Sequence, residues 1–94
     1  MANKKIEFHA EAVSEIRTSL DWYFQRSQTA ARKFSDELLH ALEQIQRNPR
    51  RWPLHLAETR RFFLPHFPFA IVYKEFSSLI LIVAVAHGHR KPDY

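Results

Sequence analysis

Between Arg60 and Ala86 three apolar runs follow one another with only short polar or proline-bearing breaks. Arg60-Arg61-Phe62-Phe63-Leu64 is the first and Phe69 to about Phe76 the second; the third starts at Leu79 and is apolar without interruption to Ala86. Each is strand-sized and rich in β-branched or aromatic residues, which predicts three strands. Pro65-His66-Phe67-Pro68 turns the chain, since neither proline can donate to a central ladder. Ser77-Ser78 is short enough for a hairpin, so the three strands form an antiparallel meander. The run ends in a polar, cationic tail, His87-Gly88-His89-Arg90-Lys91-Pro92-Asp93-Tyr94.

The first half reads differently. Lys4 to Phe8 alternates polar and apolar, as a short edge strand does. Val13, Ile16, Leu20, Tyr23 and Phe24 then recur at helical spacing, followed by a second stripe at Ala31, Phe34, Leu38, Leu42 and Ile45. Ser27-Gln28-Thr29 separates the stripes and offers N-caps, and Asn48-Pro49 ends the second. So short a link requires an antiparallel helical hairpin, with Ala30, Ala31 and Ala41 allowing close approach. Trp22 falls off the first stripe and is expected to be partly buried against the second helix. A connector from Pro49 to Thr59 follows, pinned by Trp52 and Leu54. The expected fold is α+β, in the order β-α-α-β-β-β over a single domain, residues 1–94. Its antiparallel sheet carries the helical hairpin on one face, and the strand after the hairpin runs antiparallel to the first.

That expectation leaves surface unaccounted for. A sheet with one wet face should alternate polar and apolar residues, yet Leu79–Ala86 does not. One helical layer covers one face. The other needs a cover, which is either a partner chain, a second copy or the 49–59 connector.

Charge narrows the partner. The net charge of the 94 residues is +4. Residues 1–48 are balanced, whereas residues 49–94 hold Arg50, Arg51, Arg60, Arg61, Lys74, Arg90 and Lys91 against Glu58, Glu75 and Asp93. The whole excess lies in the second half and points to an anionic partner. There is no cysteine, hence no disulfide or thiolate metal site, and a single glycine rules out a Gly-rich phosphate loop. No apolar stretch approaches the roughly 18 residues of a membrane span, and the N-terminus is too polar for a signal peptide, so a cytoplasmic protein is expected. His87 and His89 lack a third ligand, and neither a metal nor a cofactor is expected. The cluster that carries chemistry is Arg60, Arg61, His87, His89, Arg90, Lys91 and Tyr94. Histidine or tyrosine could move protons and arginine could hold phosphate in an RNA cleavage, but the same groups suit phosphate binding or capture of an acidic peptide.

The ordered set of Phe34, Leu38 and Ile45, Asn48-Pro49, Arg60-Arg61-Phe62, Phe67 to Tyr73, and Ile82 to Tyr94 resembles the RelE/ParE family of toxins from bacterial type II toxin–antitoxin modules. The resemblance spans nearly the whole chain. It implies a growth-arresting protein neutralised by a cognate antitoxin in a hetero-oligomer, and an antitoxin that covers the apolar sheet. Trp22, Phe63, Ile71, Tyr73 and Ile82 are the expected antitoxin contacts. Two targets divide the family. RelE-like members are ribosome-dependent mRNA endoribonucleases, for which Arg61, His87, Arg90 and Tyr94 would be the catalytic candidates. ParE-like members poison DNA gyrase, which Arg60, Arg61, His89, Arg90 and Lys91 would help to bind. The long helical hairpin, the Pro-Asp-Tyr ending and the lack of a lysine on the strand after the connector place this chain nearer the second branch. A non-toxic relative that only binds an antitoxin is the remaining alternative.

Overall fold

The computed structural model describes residues 3–88. Strand β1 (Lys5–Phe8) leads into helices α1 (Ala10–Arg26) and α2 (Gln28–Arg47); β2 (Arg60–Phe63), β3 (Phe69–Glu75) and β4 (Leu79–His87) follow the connector. The sheet order is β1-β4-β3-β2, an α+β arrangement with the meander antiparallel as expected.

One residue, Ser27, makes the turn between the helices. Its N–H donates to Tyr23 O at 2.8 Å and closes α1, while its hydroxyl accepts from Ala30 N at 3.1 Å and opens α2. Helix α2 buries Ala31, Phe34, Leu38, Ala41 and Ile45, the predicted stripe except that Ala41 is buried and Leu42 only partly so. Helix α1 departs from its predicted stripe. Ala12 is fully buried, whereas Val13 and Phe24 are exposed. Its inward line runs through Ala12, Ile16, Leu20 and Tyr23.

Strand direction is also corrected. β1 pairs with β4 in parallel, so β2 at the far edge runs in the same sense as β1. The reason is the heading of α1, which does not double back over β1. His9 N–H still donates to Ile82 O at 2.9 Å, and the helix then travels along β4. Its Glu15 Oε1 accepts Val85 N–H at 2.7 Å, and its Tyr23 ring meets Phe69, the pairing partner of His87. The return helix therefore ends where β1 began, with Gln46 Nε2 donating to Lys4 O at 2.7 Å.

The register between Val72 and Tyr73 shifts at a β-bulge, with Val72 opposite Ala84 and Tyr73 opposite Ile82. Side-chain alternation then puts Phe62, Leu64, Phe69, Ile71, Tyr73, Ile80, Ile82 and Val85 on the helix side, where all are buried. Val72, Lys74, Leu79, Leu81 and Ala84 face the other way and are only half-buried. The connector does not roof this second face. Trp52 packs on Phe62 with ring centroids 4.7 Å apart, and Pro49 O accepts the Tyr73 hydroxyl at 2.7 Å, both on the helix side. Burial pushes the Tyr73 hydroxyl up to about 12, partly offset by the nearby Arg60 guanidinium and reinforced by Glu75. Leu54, expected to anchor the connector, stands exposed instead.

Glu75 joins three parts of the chain at the end of β3. Its carboxylate takes Lys4 Nζ at 2.6 Å and Arg50 Nε at 3.0 Å, and Lys4 Nζ also donates to Phe76 O at 2.8 Å. The Lys4 hydrogen bond, aided by Arg50 and opposed by partial burial, holds this carboxyl below its ordinary value. A depressed folded-state value stabilises the fold above the unfolded carboxylate value near about 4.3, and that contribution disappears as pH falls through the folded value. Glu75→Gln is therefore expected to lower the urea midpoint at pH 7, with the gap to the parent closing as pH drops below about 4. Midpoints measured across that range check this, and a gap independent of pH would refute it.

Candidate functional site

Alternation allows only one of two adjacent strand arginines to face a given site, and the structure assigns them. Arg60 points to the helix side, where its Nη1 donates to Trp52 O at 2.6 Å and to Arg50 O at 3.4 Å. It braces the connector. Arg61 points to the open side, with its guanidinium 5.5 Å from the Phe63 ring centroid and Nη2 3.5 Å from His55 Nδ1. Phe63 shares that face and is exposed.

His87 leaves β4 on the helix side. Its ring lies against Phe69, with centroids 4.7 Å apart, and Gly88 N–H then donates to Pro68 O at 2.6 Å. Gly88 adopts φ 72°, a left-handed conformation that glycine enters without a Cβ penalty. His87 borders a groove of about 550 Å³ between α1 and the β3–β4 end, with Trp22, Tyr23, Pro68 and Phe69 on its walls. Trp22 is 52% exposed and turned to this groove rather than to α2, with the Arg26 guanidinium stacked 3.8 Å above its ring. The expectation of partial burial against α2 is overturned, because α1 turns Ala12 and Tyr23 inward and leaves Trp22 exposed at the flank.

Three expected antitoxin contacts are corrected. Ile71, Tyr73 and Ile82 have no exposed surface and form the centre of the core under the helices. Their continuous apolar context gives no phase from which to read a face; the open side belongs to Val72, Leu81 and Ala84. His89, Arg90, Lys91 and Tyr94 lie outside the described residues. Among the described residues no group of three or more metal-binding side chains occurs, and no helix is long and apolar enough to cross a membrane.

Two arrangements carry no local sequence signal: the Lys4–Glu75–Arg50 junction and the Glu15 carboxylate on the β4 edge. Both depend on partners far away in the chain, 71 and 70 residues for Lys4–Glu75 and Glu15–Val85.

Fold and surfaces together describe a small α+β protein whose helical hairpin covers one face of a four-stranded sheet and whose other face stays largely apolar. The profile of the family described as ParE toxin of type II toxin-antitoxin system, parDE, matches residues 6–92, and the chain belongs to that family. Its fold is that of a solved structure described as the chromosomal ParDE TA system from P. aeruginosa. The two agree with a TM-score of 0.79 at 14% sequence identity, covering 92% of this chain and 97% of that one. No curated protein matches the sequence.

Proposed function

We propose that this toxin arrests growth by acting on DNA gyrase, and that a cognate antitoxin holds it inactive by covering the open sheet face. The observation that carries the choice of target is the placement of Arg61 and His87. Cleavage of a transcript requires a phosphate-holding cation and a proton-moving group to converge on one phosphodiester. Arg61 lies on the open side of the sheet, and His87 lies on the helix side against Phe69. Groups on opposite sides of a sheet cannot meet at one phosphate, which favours a target gripped by surface contacts over one cut at a catalytic cluster. The antitoxin assignment rests on the half-buried Val72, Leu81 and Ala84, which sit beside the cations Arg61 and Lys74 and suit an acidic, apolar segment. The site of action is the cytoplasm.

The test is a gyrase supercoiling assay beside a ribosome-programmed mRNA cleavage assay, each with and without antitoxin. The toxin is expected to block supercoiling, to leave transcripts whole, and to lose its effect on gyrase when antitoxin is added. Ribosome-dependent cleavage with gyrase untouched would replace this reading with the endoribonuclease. Silence in both assays, with no growth arrest on expression, would leave a relative that only binds antitoxin.

A further inference from the structure

At the outer end of β2 the connector makes a tight loop that holds two leucines in solvent. Leu54 bridges Arg60 in antiparallel fashion, and His55 N–H donates to Thr59 O at 2.6 Å. Thr59 returns both its N–H, at 3.1 Å, and its hydroxyl, at 2.7 Å, to Leu56 O. Inside these bonds Ala57 and Glu58 take φ values of 56° and 59°. Two consecutive left-handed residues bearing a Cβ disfavour this conformation, and the surrounding hydrogen bonds impose it. The result is display. Leu56 is 76% exposed, more than any other large apolar residue described, and Leu54 is 60% exposed. Solitary exposed leucines are unremarkable in a floppy loop, but a strained and bonded one has fixed them in place.

Charge gives the partner its sign. Residues 50–61 contain Arg50, Arg51, Arg60 and Arg61 against the single acid Glu58. Two of these arginines are engaged within the chain, Arg60 by the connector carbonyls and Arg50, itself exposed, by Glu75. Arg61 stands beside the loop through His55, and Arg51 lies over the Trp52 ring at 5.4 Å. Fixed aliphatic anchors flanked by cations match an acidic protein surface with an apolar recess. Single-stranded nucleic acid is a poorer match, because bases are gripped by aromatic platforms and leucine offers no stacking face.

We infer that the Leu54–Glu58 loop, with Arg61 beside it, is the surface by which this toxin grips an acidic protein target, Leu56 entering a recess on that target. This deepens the proposed function and rests on it, because the target is taken to be gyrase; the antitoxin has the sheet face instead.

The experiment measures inhibition of gyrase holoenzyme supercoiling by Leu56→Asp in the full-length chain, beside the parent and Leu39→Asp, an equally drastic change at an exposed leucine of α2. Leu56→Asp is expected to need at least about tenfold more toxin for half-inhibition, with unchanged antitoxin binding and melting temperature. Leu39→Asp is expected to match the parent. Leu54→Asp, at the second exposed anchor of the loop, is expected to show the same loss and serves as the second probe should Leu56→Asp melt early. If the parent inhibits gyrase and Leu56→Asp and Leu54→Asp do so equally well, the loop inference is overturned and the target reading stands. If the parent does not inhibit gyrase, the target reading fails and takes the inference with it. Loss of antitoxin binding in Leu56→Asp, or of RNA retention that the parent shows, would also overturn it by assigning the loop to a different partner.

Discussion

Phe34→Ala is expected to destabilise the free toxin by about 3–5 kcal/mol, the range for deleting a fully buried aromatic ring from a packed core. Phe34 has no exposed surface, and its ring contacts those of Tyr23, Phe67 and Phe69 at centroid distances of 5.3, 5.3 and 5.4 Å. It is where α1, α2, the Pro65–Pro68 turn and β3 meet, so its removal loosens four parts at once and leaves a cavity at their junction. A domain of this size is stable by roughly 5–15 kcal/mol, toward the lower end because its core is small. The substitution therefore consumes a large fraction of the total. At a urea m-value of roughly 1.2–1.5 kcal/mol/M the midpoint should fall by about 2–4 M with m unchanged. Phe24→Ala on the exposed flank of α1 provides the contrast and should cost under about 1 kcal/mol. Urea unfolding followed by tryptophan fluorescence separates the two. Equal losses, or a loss under about 1 kcal/mol for Phe34→Ala, would mean that the aromatic junction is not the centre of the core. A partner that binds only the folded toxin recovers stability by mass action, so the variant should unfold later in complex than alone.

How far the sequence revealed this fold depended on which signals were local. The α2 stripe was legible because Phe34, Leu38 and Ile45 are large, apolar and correctly spaced among polar neighbours. On α1 the same logic slipped, since the residue at its core is Ala12, too small to mark a stripe, while Val13 and Phe24 are large enough to mislead. Strand existence was readable from the apolar runs and turn residues, but strand phase was not. In Leu79–Ala86 every position is apolar, and the bulge at Val83 resets the alternation, so Ile82 looked as available as Leu81. The direction of β1 relative to β2 followed from where α1 heads. That heading is fixed by Glu15 on Val85 and Gln46 on Lys4, contacts across most of the chain. At the candidate surfaces, alternation correctly demanded that Arg60 and Arg61 part company without saying which faced which way. The Leu54–Thr59 loop gave no warning either, because its left-handed positions hold alanine and glutamate where a glycine would have signalled the turn.

Val72→Asp is expected to weaken antitoxin binding by roughly 100-fold or more while leaving the toxin folded. Val72 lies at the centre of the open face, opposite Ala84 on β4 and Arg61 on β2, and is half-buried in the free chain. In the free toxin a carboxylate here reaches water and can pair with Arg61, so folding should lose little. Under an antitoxin the same carboxylate is stripped of water against apolar surface, which costs about 2–5 kcal/mol when no partner compensates fully. At 1.4 kcal/mol per decade of affinity, about 3 kcal/mol corresponds to the predicted drop. The contrast is Ile71→Val, one position away but on the helix side. It removes a buried methyl, costs about 0.5–1.5 kcal/mol of stability, and should leave affinity for the antitoxin alone. Titration calorimetry with the cognate antitoxin distinguishes these two behaviours, and urea unfolding of each free variant shows that the fold survives. Unchanged affinity in Val72→Asp would mean that the antitoxin sits elsewhere, with the groove beside Trp22 the next surface to test. Cells carrying both genes give the same answer in another form. A toxin that folds and acts but escapes its antitoxin should arrest growth that the parent pair permits, so the substitution that merely adds a charge to the sheet would turn a tolerated protein into a lethal one.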